Sequence, residues 1–218
     1  MQEEFWHERW KNREIGFHQQ ETNPYLMQHL SQLHVNPSDT IFVPLCGKSG
    51  DMVWLSKQGY KVFGVELHRD ACAALFQENN LSSTTGHNQH FQTFDADNLS
   101  IWCGNFFNLT PQDLESVNAV YDRASLIALP PDMRQSYSQH MNHLLSRGTR
   151  VLLVTMEYPQ TEMSGPPFAV SATEVVDLYG KYFHITKLGE LDILEQEPHF
   201  RDKGLSRLIE SVTLLEKK

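Results

Sequence analysis

Short β-rich runs alternate with helical segments along most of the chain, and that alternation points to a covered, largely parallel sheet. Residues 40–44 (Thr-Ile-Phe-Val-Pro) form the first run, stopped by Pro44 and followed by the turn Leu45-Cys46-Gly47-Lys48-Ser49-Gly50. Asp51 suits a helix N-cap and Gly59 a helix end, so a helix is predicted between them. Residues 61–66 read as the second strand and 70–79 as the second helix, while 91–94 and 99–103 read as strands around a turn at 95–98. Further strands are predicted at 117–121 and 150–156, helices at 133–145 and 173–182, and closing strands near 183–188 and 206–215. The expected fold is α/β and doubly wound, with helices on both faces of a mostly parallel sheet and the final pair entering as an antiparallel hairpin. The first 38 residues precede the first strand, read as helical, and are expected to cap the sheet's ligand edge.

A chain of 218 residues with 40% hydrophobic and 21% charged residues fits one globular domain spanning 1–218. Its formal charge of −9 and scattered basic residues argue against sequence-independent nucleic-acid binding, so a small-molecule partner is expected. No run approaches the roughly 18 apolar residues of a membrane span, and the acidic start Met1-Gln2-Glu3-Glu4-Phe5-Trp6 lacks the order of a secretory signal. Cys46, Cys72 and Cys103 are odd in number and far apart, without a CxxC spacing. Neither a disulfide framework nor a zinc knuckle is suggested, and a reducing, cytoplasmic setting is expected.

In open α/β sheets ligands bind beyond the carboxyl ends of the strands, which directs attention to the turn from Leu45 to Asp51. Gly47 and Gly50 permit close backbone approach, and Glu66 ends the second strand 19 residues after Gly47. A glycine turn with an acid about 20 residues on is the arrangement that holds an adenosine ribose. An aspartate at the following helix cap tolerates a cationic cofactor and repels a pyrophosphate, which disfavours a nicotinamide-dependent oxidoreductase. Position 42 is Phe where a phosphate-binding GxxxxGK[ST] loop needs Gly. Phe5, Trp6, Trp10 and Phe17 crowd the N-terminal segment, where aromatic faces attract a cation or simply pack the cap on the core. Asp122-Arg123 closes the strand at 117–121 and falls at the same ligand rim. The pairs His87/His90 and His140/His143 lack acidic or cysteine partners at matching spacing, so no metal site is expected.

The chain resembles the thiopurine S-methyltransferase family, in its bacterial form, from end to end. The resemblance rests on Phe5-Trp6-His7-Glu8-Arg9-Trp10, Ile15-Gly16-Phe17-His18-Gln19, the run from Val43 to Met52, Gly64-Val65-Glu66, Tyr121-Asp122-Arg123, Ala128-Leu129-Pro130-Pro131 and Gly165-Pro166-Pro167-Phe168. It implies a class I methyltransferase fold with a seven-stranded sheet whose last strand is antiparallel, and S-adenosylmethionine as methyl donor. Carried over by matching positions, the cofactor contacts fall on Trp10, Leu45, Glu66 and Arg123, with Arg123 also facing the acceptor. Phe17 and Arg201 are expected on the substrate side.

The implied reaction is in-line methyl transfer to the sulfur of a thiopurine or another small aromatic thiol, with selenium and tellurium compounds as further soft acceptors. Arg123 would favour the thiolate. A non-catalytic adenosine-binding protein and a nucleic-acid methyltransferase are the rival readings. Retention of Trp10, Glu66 and Arg123 together opposes the first, and the acidic charge opposes the second. A monomer is expected.

Overall fold

The computed structural model describes Trp6, residues 8–10, Asn12, Gln19 and residues 21–218, so Phe5, His7 and Phe17 lie outside the described residues. Its chain forms two compact units, Met1–Tyr121 and Asp122–Lys218.

In the first unit Asn23 caps helix α1 (Pro24–His29), its side-chain oxygen accepting the N–H groups of Tyr25 and Leu26. Strand β1 (Thr40–Val43) buries Ile41, Phe42 and Val43 and leads into helix α2 (Gly50–Lys57). Strand β2 (Lys61–Glu66) is buried beyond its first residue and leads into helix α3 (Arg69–Glu78). Strands β3 (Thr84–His87), β4 (Gln92–Ala96) and β5 (Leu99–Cys103) follow, and β6 (Val117–Arg123) carries the chain out of the unit. β1 pairs in parallel with β2 and β6, and β2 with β5, whereas β4 runs antiparallel to β3 and β5. Phe42, Phe63 and Trp102 pack in a row across neighbouring strands, the first pair tilted with ring centroids 5.2 Å apart and the second edge to face at 4.8 Å.

In the second unit helix α4 (Pro131–Leu144) starts at a proline, whose missing N–H costs nothing there. Strand β7 (Arg150–Glu157), helix α5 (Ala172–Tyr179), strand β8 (Phe183–Asp192), helix α6 (Pro198–Asp202) and strand β9 (Ile209–Lys217) complete it. β9 is antiparallel to both β7 and β8. The fully buried Arg134 joins α4 to α5, donating to the Leu129 carbonyl at 2.8 Å and to Glu174 at 2.6 Å.

The α/β architecture and the antiparallel final pair agree with the sequence. The strand count does not: among the described residues nine strands hydrogen-bond in the order β3-β4-β5-β2-β1-β6-β7-β9-β8, where the resemblance implied seven. The extra width includes the β3–β4 hairpin, whose outer strand Thr-Thr-Gly-His is largely exposed and offers no apolar alternation to read. The cap of α2 also differs. Ser49 occupies it and accepts the Asp51 N–H, while Asp51 sits inside the first turn and is 2% exposed. Its carboxylate turns inward, accepting the Asn23 N–H at 2.8 Å and the Tyr121 hydroxyl at 3.0 Å. The argument from an acid at the cap against pyrophosphate therefore does not stand, because that charge is engaged internally. No helix among the described residues is long and apolar enough to cross a membrane.

Candidate functional site

Where β1 ends, the backbone departs sharply from the strand. Leu45 has φ 44° and Gly47 φ 55°, two left-handed residues in one short turn. For the half-buried Leu45 this conformation carries a local cost of about 1–2 kcal/mol, of the kind that accumulates at ligand-binding turns. Cys46 between them still donates its N–H to the Val65 carbonyl at 2.9 Å, so the turn stays anchored to β2.

Glu66 is the other anchor. Its Oε2 accepts the Gly47 N–H at 2.9 Å, and its Oε1 accepts the His68 N–H at 2.7 Å. The side chain is only 7% exposed. Burial pushes its pKa up, and the N–H groups of His68, Gly47 and Leu67 act against that push by bonding the charged form. The carboxylate is thus held in one orientation at the carboxyl end of β2. With two lone-pair sites on each oxygen, it can accept further donors such as vicinal hydroxyls.

Trp10 closes the cluster. Its indole stacks on the His68 ring at 5.9 Å with an interplanar angle of 18°, and a methyl built on Gly47 would stand 3.5 Å from Trp10 Cζ2. Trp10, Leu45 and Glu66, all expected from the sequence, are therefore gathered around Gly47. The structure adds His68, which the sequence reading missed although it lies two residues beyond the acid. It adds the end of β5 as well: Cys103 pairs with Glu66 across the sheet, and the Gly104 N–H donates to the Glu66 carbonyl at 2.8 Å. The rule that ligands lie beyond strand ends would have pointed there.

In the second unit Arg123 ends β6, half-buried and followed by Ala124 at φ 65°. Burial raises the pKa of the Glu210 carboxyl on β9, and the positive charge of Arg123 acts against it. Asp122 and Arg123, adjacent on a strand, project to opposite faces. Asp122 turns to α4, accepting the Tyr137 hydroxyl at 2.7 Å, and is 1% exposed. Burial pushes its pKa up to about 6 against the hydrogen bonds of Tyr137 and Ser125. The stiff segment Gly165–Phe168 is fixed nearby in the chain's fold, Phe168 donating to the Ile127 carbonyl at 2.7 Å and Pro167 accepting the Tyr158 hydroxyl at 2.5 Å. Arg201 lies exposed on α6 with its guanidinium toward Glu195 at 3.4 Å. Phe17 lies outside the described residues.

Among known proteins, the family model described as Thiopurine S-methyltransferase (TPMT) matches residues 1–218. The thiopurine S-methyltransferase of Nitrosospira multiformis is 50% identical over 99% of this chain and 98% of its own. That of Marinobacter nauticus is 45% identical over the full length of both chains. Among solved structures, a SAM-dependent methyltransferase from Anabaena variabilis superposes with a TM-score of 0.65 at 14% identity, covering 99% of this chain and 95% of the other. That likeness speaks to the fold alone.

Proposed function

The chain belongs to the thiopurine S-methyltransferase family and uses S-adenosylmethionine, and from that premise we propose that it methylates the sulfur of thiopurines and other small aromatic thiols. Selenium and tellurium compounds are further acceptors of the same soft character. The observation that carries the reading is the Glu66 carboxylate pinned to the Gly47 N–H beneath Trp10. The residues suit the donor: a buried, oriented carboxylate for ribose hydroxyls, a bare glycine backbone for close approach, and an aromatic face for a cation.

When bound, S-adenosylmethionine supplies an activated methyl group open to direct displacement by a nucleophile, without a covalent enzyme intermediate. Glu66 would hold the ribose hydroxyls, Trp10 would cover the donor from the cap, and Leu45 would lend its turn backbone. Arg123 lowers the pKa of the acceptor thiol and positions the thiolate. Phe17 and Arg201 are the acceptor-side residues that the family resemblance implies. Thiols ionise near pH 8.5, so a dedicated general base is unnecessary. Orientation of the two reactants supplies most of the acceleration, a contribution that reaches roughly 7–11 kcal/mol in well-aligned systems.

Residues 1–218 act as one methyltransferase domain, with residues 1–38 as a cap over the cofactor. The protein works as a cytoplasmic monomer on small molecules and not on nucleic acid, a setting consistent with three free cysteines. Transfer of labelled methyl to a panel of thiopurines, aromatic thiols and selenite tests the reaction. Turnover that Glu66→Ala abolishes through lost donor binding supports it. Arg123→Ala is expected to lose transfer rate more than donor affinity. A wild-type protein that binds the donor and methylates no member of the panel would overturn the acceptor assignment.

A further inference from the structure

We propose that Gln160 is a positioning residue for the methyl acceptor: with the Tyr158 hydroxyl, its side-chain amide clasps residues 158–169 into a wall of fixed shape. The inference rests on the methyltransferase reading above and deepens it on the acceptor side. The segment leaves the carboxyl end of β7, where ligands of an open α/β sheet lie. It also reaches the stretch after β6, because the Phe168 N–H donates to the carbonyl of Ile127, four residues beyond Arg123.

One amide serves several partners. Gln160 Nε2 donates to the Met163 carbonyl at 2.6 Å and to the Tyr158 hydroxyl oxygen at 3.2 Å, and Gln160 Oε1 accepts the Ala169 N–H at 2.9 Å. The Tyr158 hydroxyl in turn donates to the Pro167 carbonyl. Both ends of the amide are thus engaged within a single loop. Gln160 is nevertheless exposed, where water could serve each of these groups. A side chain so placed gives up rotamer freedom to keep its partners, and burial is not what requires it. What the contacts specify is the shape of the loop.

The ends of the segment are held by other means, so the clasp acts on its interior. The Val170 N–H donates to the Met156 carbonyl of β7 at 2.8 Å, and the Tyr158 ring is buried in an apolar cluster with Leu205 and Leu208. Glu162 accepts the Ser206 N–H at 2.8 Å and the Ser206 hydroxyl at 2.7 Å, which ties the segment to the chain after α6, the helix that carries Arg201. Inside the segment there is no slack. A methyl built on Gly165 would stand 2.5 Å from Phe168 Cδ1, and the Phe168 ring lies 5.8 Å from the guanidinium of the buried Arg134. A wall this rigid suits a flat, inflexible aromatic acceptor, because neither partner has to be ordered on binding.

Steady-state kinetics of the full chain with mercaptopurine as acceptor test this, in the wild type, Gln160→Ala, Tyr158→Phe and the double variant. Tyr158→Phe keeps the ring in its cluster and removes only the hydroxyl. Each single variant is expected to raise the acceptor KM roughly five- to tenfold while the donor KM stays as it was. The double variant should lose little more than either single one, because both substitutions open the same clasp. Amide hydrogen exchange reads the clasp without any acceptor: the Ala169 N–H should exchange faster in Gln160→Ala than in the wild type. An acceptor KM that Gln160→Ala leaves unchanged overturns the proposal, as does an equal rise in the donor KM or an Ala169 exchange rate that does not move. A wild type that methylates no mercaptopurine would instead sink the reading on which the proposal rests, an outcome seen before any variant is made.

Discussion

The side chain of Glu66 reaches back 19 residues to accept the Gly47 N–H at 2.9 Å, locking the turn after β1 to the end of β2. One carboxylate thus holds the fold together and, in the function proposed above, would hold the donor as well. Glu66→Gln keeps an acceptor for one of the two backbone N–H groups and loses the negative charge. Charge-assisted hydrogen bonds contribute about 1.5–3 kcal/mol, so donor affinity should fall roughly ten- to hundredfold. Isothermal titration with S-adenosylmethionine checks this, and an unchanged affinity would contradict the assigned role.

Gly47 has room for a methyl group, since Trp10 Cζ2 would stand 3.5 Å away, yet its φ of 55° is a left-handed conformation. Gly47→Ala should therefore cost about 1–2 kcal/mol of stability through backbone strain and not through a clash. Denaturant unfolding measures it.

Asp51 ties together the Asn23 N–H and the Tyr121 hydroxyl from within the first turn of α2. Asp51→Ala leaves both donors short of that acceptor in a buried place, at a cost of roughly 2–4 kcal/mol. Asp51→Asn should cost less, because one oxygen acceptor survives. Thermal unfolding of the two variants ranks them.

Asp122 yields a pH prediction. Its folded pKa of about 6 lies above its ordinary 3.8, so between these values the folded chain keeps a proton that the unfolded chain releases. The stability tied to the protonated form is complete below about pH 4 and is lost as pH rises through 6, on the order of 3 kcal/mol. Asp122→Asn cannot ionise and keeps an oxygen for the Tyr137 hydroxyl. It should gain on the wild type as pH rises from 4 to 7, and parallel stability curves for the two proteins would refute the assignment.

Much of this was legible because the relevant spacing is local to a βαβ unit. The turn at Gly47 and the acid at Glu66 belong to adjacent parallel strands, so their separation in sequence predicts their meeting in space. Ser49 and Asp51 both have capping chemistry, and the choice between them was illegible. It is decided by Asn23 and Tyr121, 28 and 70 residues away from Asp51. Asp122 and Arg123 were read as a pair from adjacency, whereas strand geometry sends them to opposite faces. The β3 strand carries four largely exposed residues, and without burial no alternation is written into the sequence.

That same strand has a consequence for how the protein behaves at high concentration. A sheet's outermost strand is a template onto which another chain can add, and long, flat, apolar ones invite it. Here one border is four residues of Thr-Thr-Gly-His. The other, β8, carries a register shift between Lys187 and Gly189 and an exposed Lys187–Glu190 ion pair. A short polar margin and a kinked, charged one both discourage strand-by-strand stacking, so these margins should stay soluble where a longer apolar border would seed fibres.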